Sequence, residues 1–249
     1  MSAARAAGRL QLAQFRRGVA VEMKTDGTPV TQVDRDSEAL IRAALERTTP
    51  GFDFLGEESA PGGKVGPHAS GSRWIVDPLD GTKKFVRGLP FFGPCIALER
   101  NGELVLGVMH VPAMNETIWA ERGAGAFLNG EPARVSYESS FERASIVWHN
   151  DQEFHERGWA SSLDPLRAAH YNPGFLDLYT YLCLAMGRID GVLMLGESPW
   201  DVAAAQVIIE EAGGQLTDFK GDRTVYQGQT VATNGLLQTV LLDVVKGCR

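Results

Sequence analysis

The sequence predicts a layered α/β protein in two unequal halves, an α+β half over residues 1–138 and a smaller α/β half over 139–249. Three observations predict it. Two helical segments open the chain, a meander of short strands with Asn-Gly turns follows, and beyond residues 136–142 strand and helix alternate.

Ala3, Ala6, Ala7, Leu10 and Ala13 recur at helical spacing, so the chain opens with a helix. The same stretch carries Arg5, Arg9, Arg16 and Arg17 before its first acid, Glu22, which is also the composition of a transit peptide. It has no long apolar run and is not a secretory signal. Thr31 starts the second helix, with Asp34 three residues on in a capping-box pattern. That helix runs to about Arg47, with Leu40, Ala44 and Leu45 inward, and Thr49-Pro50-Gly51 stops it. A polar, glycine-rich loop over 59–72 shows no apolar period. Trp74-Ile75-Val76 reads as a buried strand ending at Asp77-Pro78. Strands at 93–98 and 104–111 flank the Asn101-Gly102 turn, and 117–120 and 125–128 lead to Asn129-Gly130. In the second half, strands are expected at 145–148, 189–195 and 230–233, and helices at 151–160, 176–186, 202–211 and 236–245. Gly213-Gly214 closes the helix at 202–211.

Charge narrows the function. The balance of 31 Asp+Glu against 24 Lys+Arg, a net charge of -7, argues against a nucleic-acid partner, which needs a basic stripe. It leaves cation binding open. Cys95, Cys183 and Cys248 are far apart and odd in number, so they give no disulfide framework and point to a reducing, cytoplasmic setting. No uncharged apolar run approaches the ~20 residues of a membrane span. A chain of this length buries enough apolar surface to fold without a metal or disulfide staple.

Three segments can carry chemistry. In the first, the strand at Trp74 ends in Asp77 and Asp80, with Pro78 stiffening the turn between them so that both can converge on one point. Gly81 then permits close backbone approach, and Thr82 offers an N–H and a hydroxyl, a combination suited to a cation beside a phosphate. The plainer reading is a solvated Asp-Pro and Asp-Gly turn. In the second, Glu57 and Glu58 follow apolar Phe54-Leu55; in an extended segment one would face a site and the other solvent, or both would be a solvated pair. In the third, Ser198, Pro199 and Asp201 fit the cap, first position and first turn of the helix at 202–211. That helix is apolar almost all round, which implies burial, and a buried carboxylate at its head needs a partner or a metal. There is no G-x-S-x-G elbow, no phosphate-binding P-loop and no dinucleotide fingerprint at Gly123-Ala124-Gly125. His68, His110, His149, His155 and His170 have no zinc spacing, so the candidate ligands are all oxygens, which favours Mg²⁺ or Mn²⁺.

Taken together, these segments resemble the inositol monophosphatase family of metal-dependent, lithium-sensitive phosphatases. The matching pieces are Gly56-Glu57-Glu58-Ser59, Trp74 to Thr82, Trp200-Asp201 with Glu211-Ala212-Gly213-Gly214, Gly123 to Gly130, and Val231 to Gly235. Glu57 precedes Asp77 by 20 residues, a spacing the family shares. The resemblance covers essentially the whole chain. It implies the αβαβα sandwich of the sugar-phosphatase type, a homodimer, and Mg²⁺ at two or three positions per site, with Mn²⁺ as an alternative. It implies that Glu57, Asp77 and the Leu79 carbonyl hold one ion, and that Asp77, Asp80 and Asp201 hold a second. Thr82 with Glu57 would orient a water, and Asp80 with the Gly81 and Thr82 N–H groups would face the phosphate. Lys24 and Asp34 match supporting positions.

Inositol-specific members place a glutamate seven residues before the aspartate that corresponds to Asp201; here that position is Met194, and the nearest acid is Glu197. Lys83, Lys84 and Arg87 after Asp80-Gly-Thr82 look closer to histidinol-phosphatase relatives, or form a solvated basic turn. The expected function is hydrolysis of a small phosphate ester, with histidinol phosphate ahead of inositol monophosphate and no nucleic-acid or membrane partner. The alternative is a non-catalytic metal- or phosphate-binding protein, or a regulatory one, on the same fold.

Overall fold

The structure, a computed structural model, describes residues 1–60, 65–68, 70–149, 151–174 and 177–248, and only the backbone at 167 and 168. Parts of the expected 59–72 loop and the start of the expected 176–186 helix lie outside the described residues. The chain opens with α1 (Ser2–Gln14), a hairpin of β1 (Val21–Met23) and β2 (Pro29–Thr31), and α2 (Gln32–Thr48). Then come β3 (Asp53–Gly56), β4 (Ser72–Asp80), the short α3 (Thr82–Val86), β5 (Gly93–Arg100), β6 (Glu103–Val111), β7 (Glu116–Glu121), β8 (Gly125–Leu128) and β9 (Glu131–Pro132). Strands β3 to β9 form a seven-stranded sheet in chain order, β3 parallel to β4 and the rest antiparallel.

The remainder comprises β10 (Ile146–Trp148), α4 (Asp151–Glu156), α5 (Leu178–Ala185), β11 (Gly191–Leu195), α6 (Pro199–Glu211), β12 (Gln215–Thr217), β13 (Gln229–Thr233) and α7 (Gln238–Val244). Its four strands pair in the order β10-β11-β13-β12, β10 parallel to β11. Apolar cores separate the layers. Ala4 and Ala7 of α1 and Ile41 of α2 cover Trp74, Val76 and Val108 on one face of the large sheet. Helices α5 and α6 fill the space between the sheets, and α7 covers the far face of the small sheet through Leu241. The order is helix, sheet, helix, sheet, helix: the expected αβαβα sandwich. Among the described residues no helix is long and apolar enough to cross a membrane.

Helix α6 is the centre of this arrangement. Every residue from Val202 to Ile209 is buried. Its small residues let backbone approach backbone: a Cβ on Gly107 of β6 would lie 2.3 Å from the carbonyl oxygen of Ala204. At the C-terminal end, the Glu211 carboxylate accepts the Gly123 and Gly125 N–H groups, each at 2.9 Å, and so ties the glycine-rich β7–β8 turn to α6.

Some expectations change. The buried face of α1 is Ala3, Ala4, Ala7, Gly8 and Gln11, not the face carrying Ala6, Leu10 and Ala13. Counting apolar residues misses it because the stripe includes a glycine and a glutamine; the Gln11 amide is satisfied by the Pro78 carbonyl at 2.7 Å. The most buried positions of α2 include Asp34, Ser37 and Glu38, while Leu40, Ala44 and Leu45 pack partly buried against the core. The expected helix at 151–160 ends at Glu156 and is followed by a 3-10 segment, Ala160–Ala168, that accommodates Pro165. Strands β1, β2, β3, β9 and β12 were not expected; each spans four residues or fewer, too few to show a period of two.

Because the Gly107 contact is to backbone, which cannot yield as a side chain can, Gly107→Ala should destabilise by about 3 kcal/mol, at the upper end of overpacking penalties. An unshifted urea midpoint would show that α6 can lift off the sheet freely. His110 on β6 gives a pH test. Burial lowers its imidazole below the unfolded value of 6.5, outweighing the Glu116 carbonyl that favours protonation. The unfolded chain takes the proton more readily, so the contribution is full above pH 6.5 and is lost as pH falls toward the folded value. His110→Gln should flatten the fall in Tm between about pH 7 and 5; an unchanged slope would place the acid sensitivity elsewhere.

Candidate active site

The site is built on the end of β4. Trp74 and Val76 pack under α1 and α2, while Ile75 faces the core between the sheets. Alternation therefore sends Asp77 toward α6. A regular strand would send Asp80 to the opposite face. The register prevents that: Asp77 pairs with Cys95 and Asp80 with Gly93, so β4 carries one residue more than β5 across this stretch. The two aspartates are thus joined by a bulged strand rather than by the expected turn at Pro78, and a bulge is where an inner strand tolerates proline. The Leu79 N–H closes the bulge by donating to Asp77 Oδ1 at 2.9 Å.

Beyond Asp80 the chain turns at Gly81, in the left-handed region at φ 84°, where a Cβ would stand 2.6 Å from the Phe91 carbonyl oxygen. Thr82 Oγ1 lies 2.8 Å from Asp34 Oδ1 and 3.0 Å from the Leu79 carbonyl oxygen. Asp34 accepts the Thr31 N–H at 2.9 Å through its other oxygen, so one carboxylate both starts α2 and holds Thr82.

Glu57 and Glu58 depart from the alternation expected of them. Strand β3 ends at Gly56, the chain turns, and both carboxylates reach Lys24 Nζ, at 2.8 and 2.7 Å. Glu58 is the more buried of the two, not the solvent-facing one. Burial pushes its carboxyl up to about 7 despite Lys24. Burial works against the Lys24 ammonium, but the two carboxylates outweigh it, Glu57 first, and its pKa rises. Glu57 is therefore the main charge partner of Lys24. Asp201 sits in the first turn of α6, its Oδ2 accepting the Ser198 N–H at 2.6 Å. Asp201 thus serves the helix start and also lines the cleft.

These residues line one cleft of about 570 Å³ that includes Glu57, Asp77, Leu79, Asp80, Gly81, Thr82 and Asp201. Burial first, then the neighbouring carboxylates, raises Asp77, Asp80 and Asp201 well above the usual range. Among the described residues no three acid, histidine or cysteine side chains already close into a metal cage. The donor set is nonetheless all oxygen, and what it lacks is positive charge to offset buried like charges, so it fits a hard divalent cation.

Two residues of the cleft were not foreseen as a pair. Of the three basic residues read either as histidinol-phosphatase-like or as a solvated turn, Lys84 is mostly buried and ion-paired with Asp177, whereas Lys83 and Arg87 are exposed, Lys83 at the cleft. Asp177 precedes α5 at φ 59°, an unusual conformation for a non-glycine residue. The next N–H along, Leu178, donates to Asp80 Oδ2 at 2.5 Å. The only sequence signal was an isolated acid before an apolar helix. Met194 is buried in the core, and Glu197 points away to Tyr181 and Thr230.

The inositol monophosphatase family profile matches residues 1–248. The chain belongs to the inositol monophosphatase family. It is 37% identical to the histidinol-phosphatase of Chlorobaculum parvum, over 98% of this chain and 94% of that protein. It is 39% identical to the inositol-1-monophosphatase of Mesorhizobium japonicum, over 91% and 86%. The crystal structure of the extragenic suppressor protein suhB of Bartonella henselae superposes with a TM-score of 0.88 at 32% identity, covering 98% of this chain and 96% of that one. Membership in the inositol monophosphatase family makes the chain a phosphatase, a hydrolase of phosphoric monoesters.

Asp201→Asn keeps an oxygen for the Ser198 N–H and removes one buried like charge. At pH 8 in EDTA its Tm should rise by about 2–4 °C. A fall would show that the charge serves the helix start alone.

Proposed function

We propose that the chain is a Mg²⁺-dependent phosphomonoesterase for a small phosphorylated alcohol, with histidinol phosphate as substrate and inositol monophosphate as the runner-up. The observation that carries the reaction class is the meeting of buried Asp77 with half-buried Asp80, Asp201 and Glu57 in one cleft, beside the backbone of Gly81 and Thr82. In this reading Glu57, Asp77 and the Leu79 carbonyl hold one Mg²⁺, and Asp77, Asp80 and Asp201 hold another. When bound, the ions neutralise a phosphate dianion and acidify a water. The protein's own groups position the reactants. Thr82, fixed by Asp34, and Glu57 orient the attacking water. The Gly81 and Thr82 N–H groups, at the open start of α3, donate to phosphate oxygens. Such positioning suffices for a loose, in-line phosphoryl transfer, with no covalent nucleophile.

Two features support histidinol phosphate. Asp177 gives the cleft a carboxylate beyond those assigned to the cations, near Asp80 and paired with Lys84, which a substrate ammonium would share, and histidinol carries an ammonium group where inositol carries only hydroxyls. Position 194, where inositol-specific relatives place a glutamate, is a buried methionine. The likeness to a histidinol-phosphatase points the same way, and the inositol-1-monophosphatase likeness keeps the runner-up in view. A second reading, a regulatory protein on this fold, is favoured by the likeness to suhB.

Phosphate release from histidinol phosphate, inositol 1-phosphate and fructose 1,6-bisphosphate, with Mg²⁺ and with EDTA, separates these readings. Histidinol phosphate should turn over at least about tenfold faster than the others, and only with Mg²⁺. No release from any compound would favour the regulatory reading. Asp177→Asn should raise KM for histidinol phosphate by roughly tenfold or more, the effect of a lost charged contact, and leave inositol 1-phosphate nearly unchanged. Equal losses on both substrates would remove Asp177 from ammonium recognition.

A further inference from the structure

The loop between β11 and α6 has to bring Asp201 to the cleft, and it is held in an unusual way. Gly196 and Ser198 line the cleft, whereas Glu197 between them turns away. Its carboxylate accepts two hydrogen bonds, from Tyr181 Oη on α5 and from Thr230 Oγ1 on β13, each at 2.5 Å. Both partners are almost completely buried, so they cannot exchange this carboxylate for water. One residue earlier, the Gly196 N–H donates to the Gly228 carbonyl at 2.9 Å. One residue later, the Ser198 N–H donates to Asp201 Oδ2 at 2.6 Å. The turn is therefore pinned by backbone at 196 and by side chain at 197, and the next N–H in line holds the site carboxylate.

A carboxylate is a costly way to fill this space. Burial is the main reason its carboxyl is pushed up to about 7. An apolar side chain would avoid that cost. What the carboxylate adds is direction: two hydrogen bonds from two different elements fix the loop in both position and angle. Tyr181 is held as a donor, because burial and the adjacent Glu197 raise its phenol well above the usual value. The same helix meets the other wall of the cleft through the Leu178 N–H on Asp80. Helix α5 thus sets the spacing of two site carboxylates, touching Asp80 directly and Asp201 through Glu197.

Resting on the reading above that Asp201 is a cation ligand, we propose that Glu197 is a positioning residue for Asp201: clamped by Tyr181 and Thr230, it fixes the Gly196–Ser198 turn and so the place of the Asp201 carboxylate. It touches neither substrate nor cation.

The test is direct Mn²⁺ titration by electron paramagnetic resonance without substrate, alongside Tm and the Mg²⁺ concentration for half-maximal phosphate release. Glu197→Leu should weaken Mn²⁺ binding by ~10–100-fold, the range seen when residues that orient a metal ligand are removed, without a matching loss of Tm. Glu197→Gln should stay within about threefold, because its carbonyl accepts the Tyr181 hydroxyl and its amide donates to Thr230 Oγ1. Thr230→Val, which removes one hydroxyl at constant shape, should shift binding the same way by less, and it serves if Glu197→Leu does not fold. Wild-type Mn²⁺ affinity in both Glu197→Leu and Thr230→Val overturns the proposal. Asp201→Asn is the control. If it binds Mn²⁺ like the wild type, or the wild type binds none, the cation reading of Asp201 falls and this proposal with it. If Asp201→Asn loses Mn²⁺ while Glu197→Leu and Thr230→Val both keep it, the positioning role alone is wrong.

Discussion

A strand presents alternate side chains to opposite faces, and two acids three residues apart therefore cannot share a face unless the strand breaks step. The extra residue between Asp77 and Asp80 is that break. It turns the end of β4 from a ladder into a cradle, and the neighbouring features follow from it. Pro78 is tolerated there because the ladder is already interrupted. Gly81 follows because the redirected chain passes within contact of the Phe91 carbonyl. Gln11 of α1 caps the freed Pro78 carbonyl from the other side. The site is thus a defect in the large sheet, stabilised by the helices packed on both faces.

The second constraint is that the cradle is incomplete without a residue from the other half of the sequence. Helix α6 carries Asp201, and its alanines let it lie against β6 more closely than larger side chains would permit. Glu211 at the far end anchors the helix to the β7–β8 turn. The close approach that places Asp201 also removes water from the carboxylates, which is why burial is the leading cause of their raised pKa values. Packing and electrostatics are opposed here: the layers that hold the fold together concentrate like charges that the fold alone cannot neutralise.

Much of this was legible in the sequence, for identifiable reasons. Asp77, Asp80 and Thr82 announce themselves because a Pro and a Gly bracket them, and Asp201 because a capping acid precedes a helix with no polar face. What failed were inferences that carry local geometry past the end of an element. Glu57 and Glu58 alternate only if β3 continues, and it stops at Gly56. A turn is the natural reading between Asp77 and Asp80, because a one-residue slip against β5 leaves no mark in β4's own residues. The face of α1 was misjudged because its contacts with the sheet use Gly8 and Gln11. Asp177 and Lys84 lie far apart in sequence and meet only when α5 docks, so no spacing rule could have joined them.

The hairpin of β1 and β2 has a different standing from the other walls of the cleft. It belongs to neither large sheet, its first strand is exposed throughout, and its one cation, Lys24, pairs with Glu57 and Glu58. Its second strand is fixed through buried Val30 and Thr31, so it is the exposed first strand and the Lys24 turn that are held by ion pairs at a partly solvated rim. Interactions of that kind weaken as ions are added to the solvent, whereas buried layers are indifferent to them. Added salt therefore loosens the Lys24 side of the rim before it reaches anything that holds the floor of the cleft.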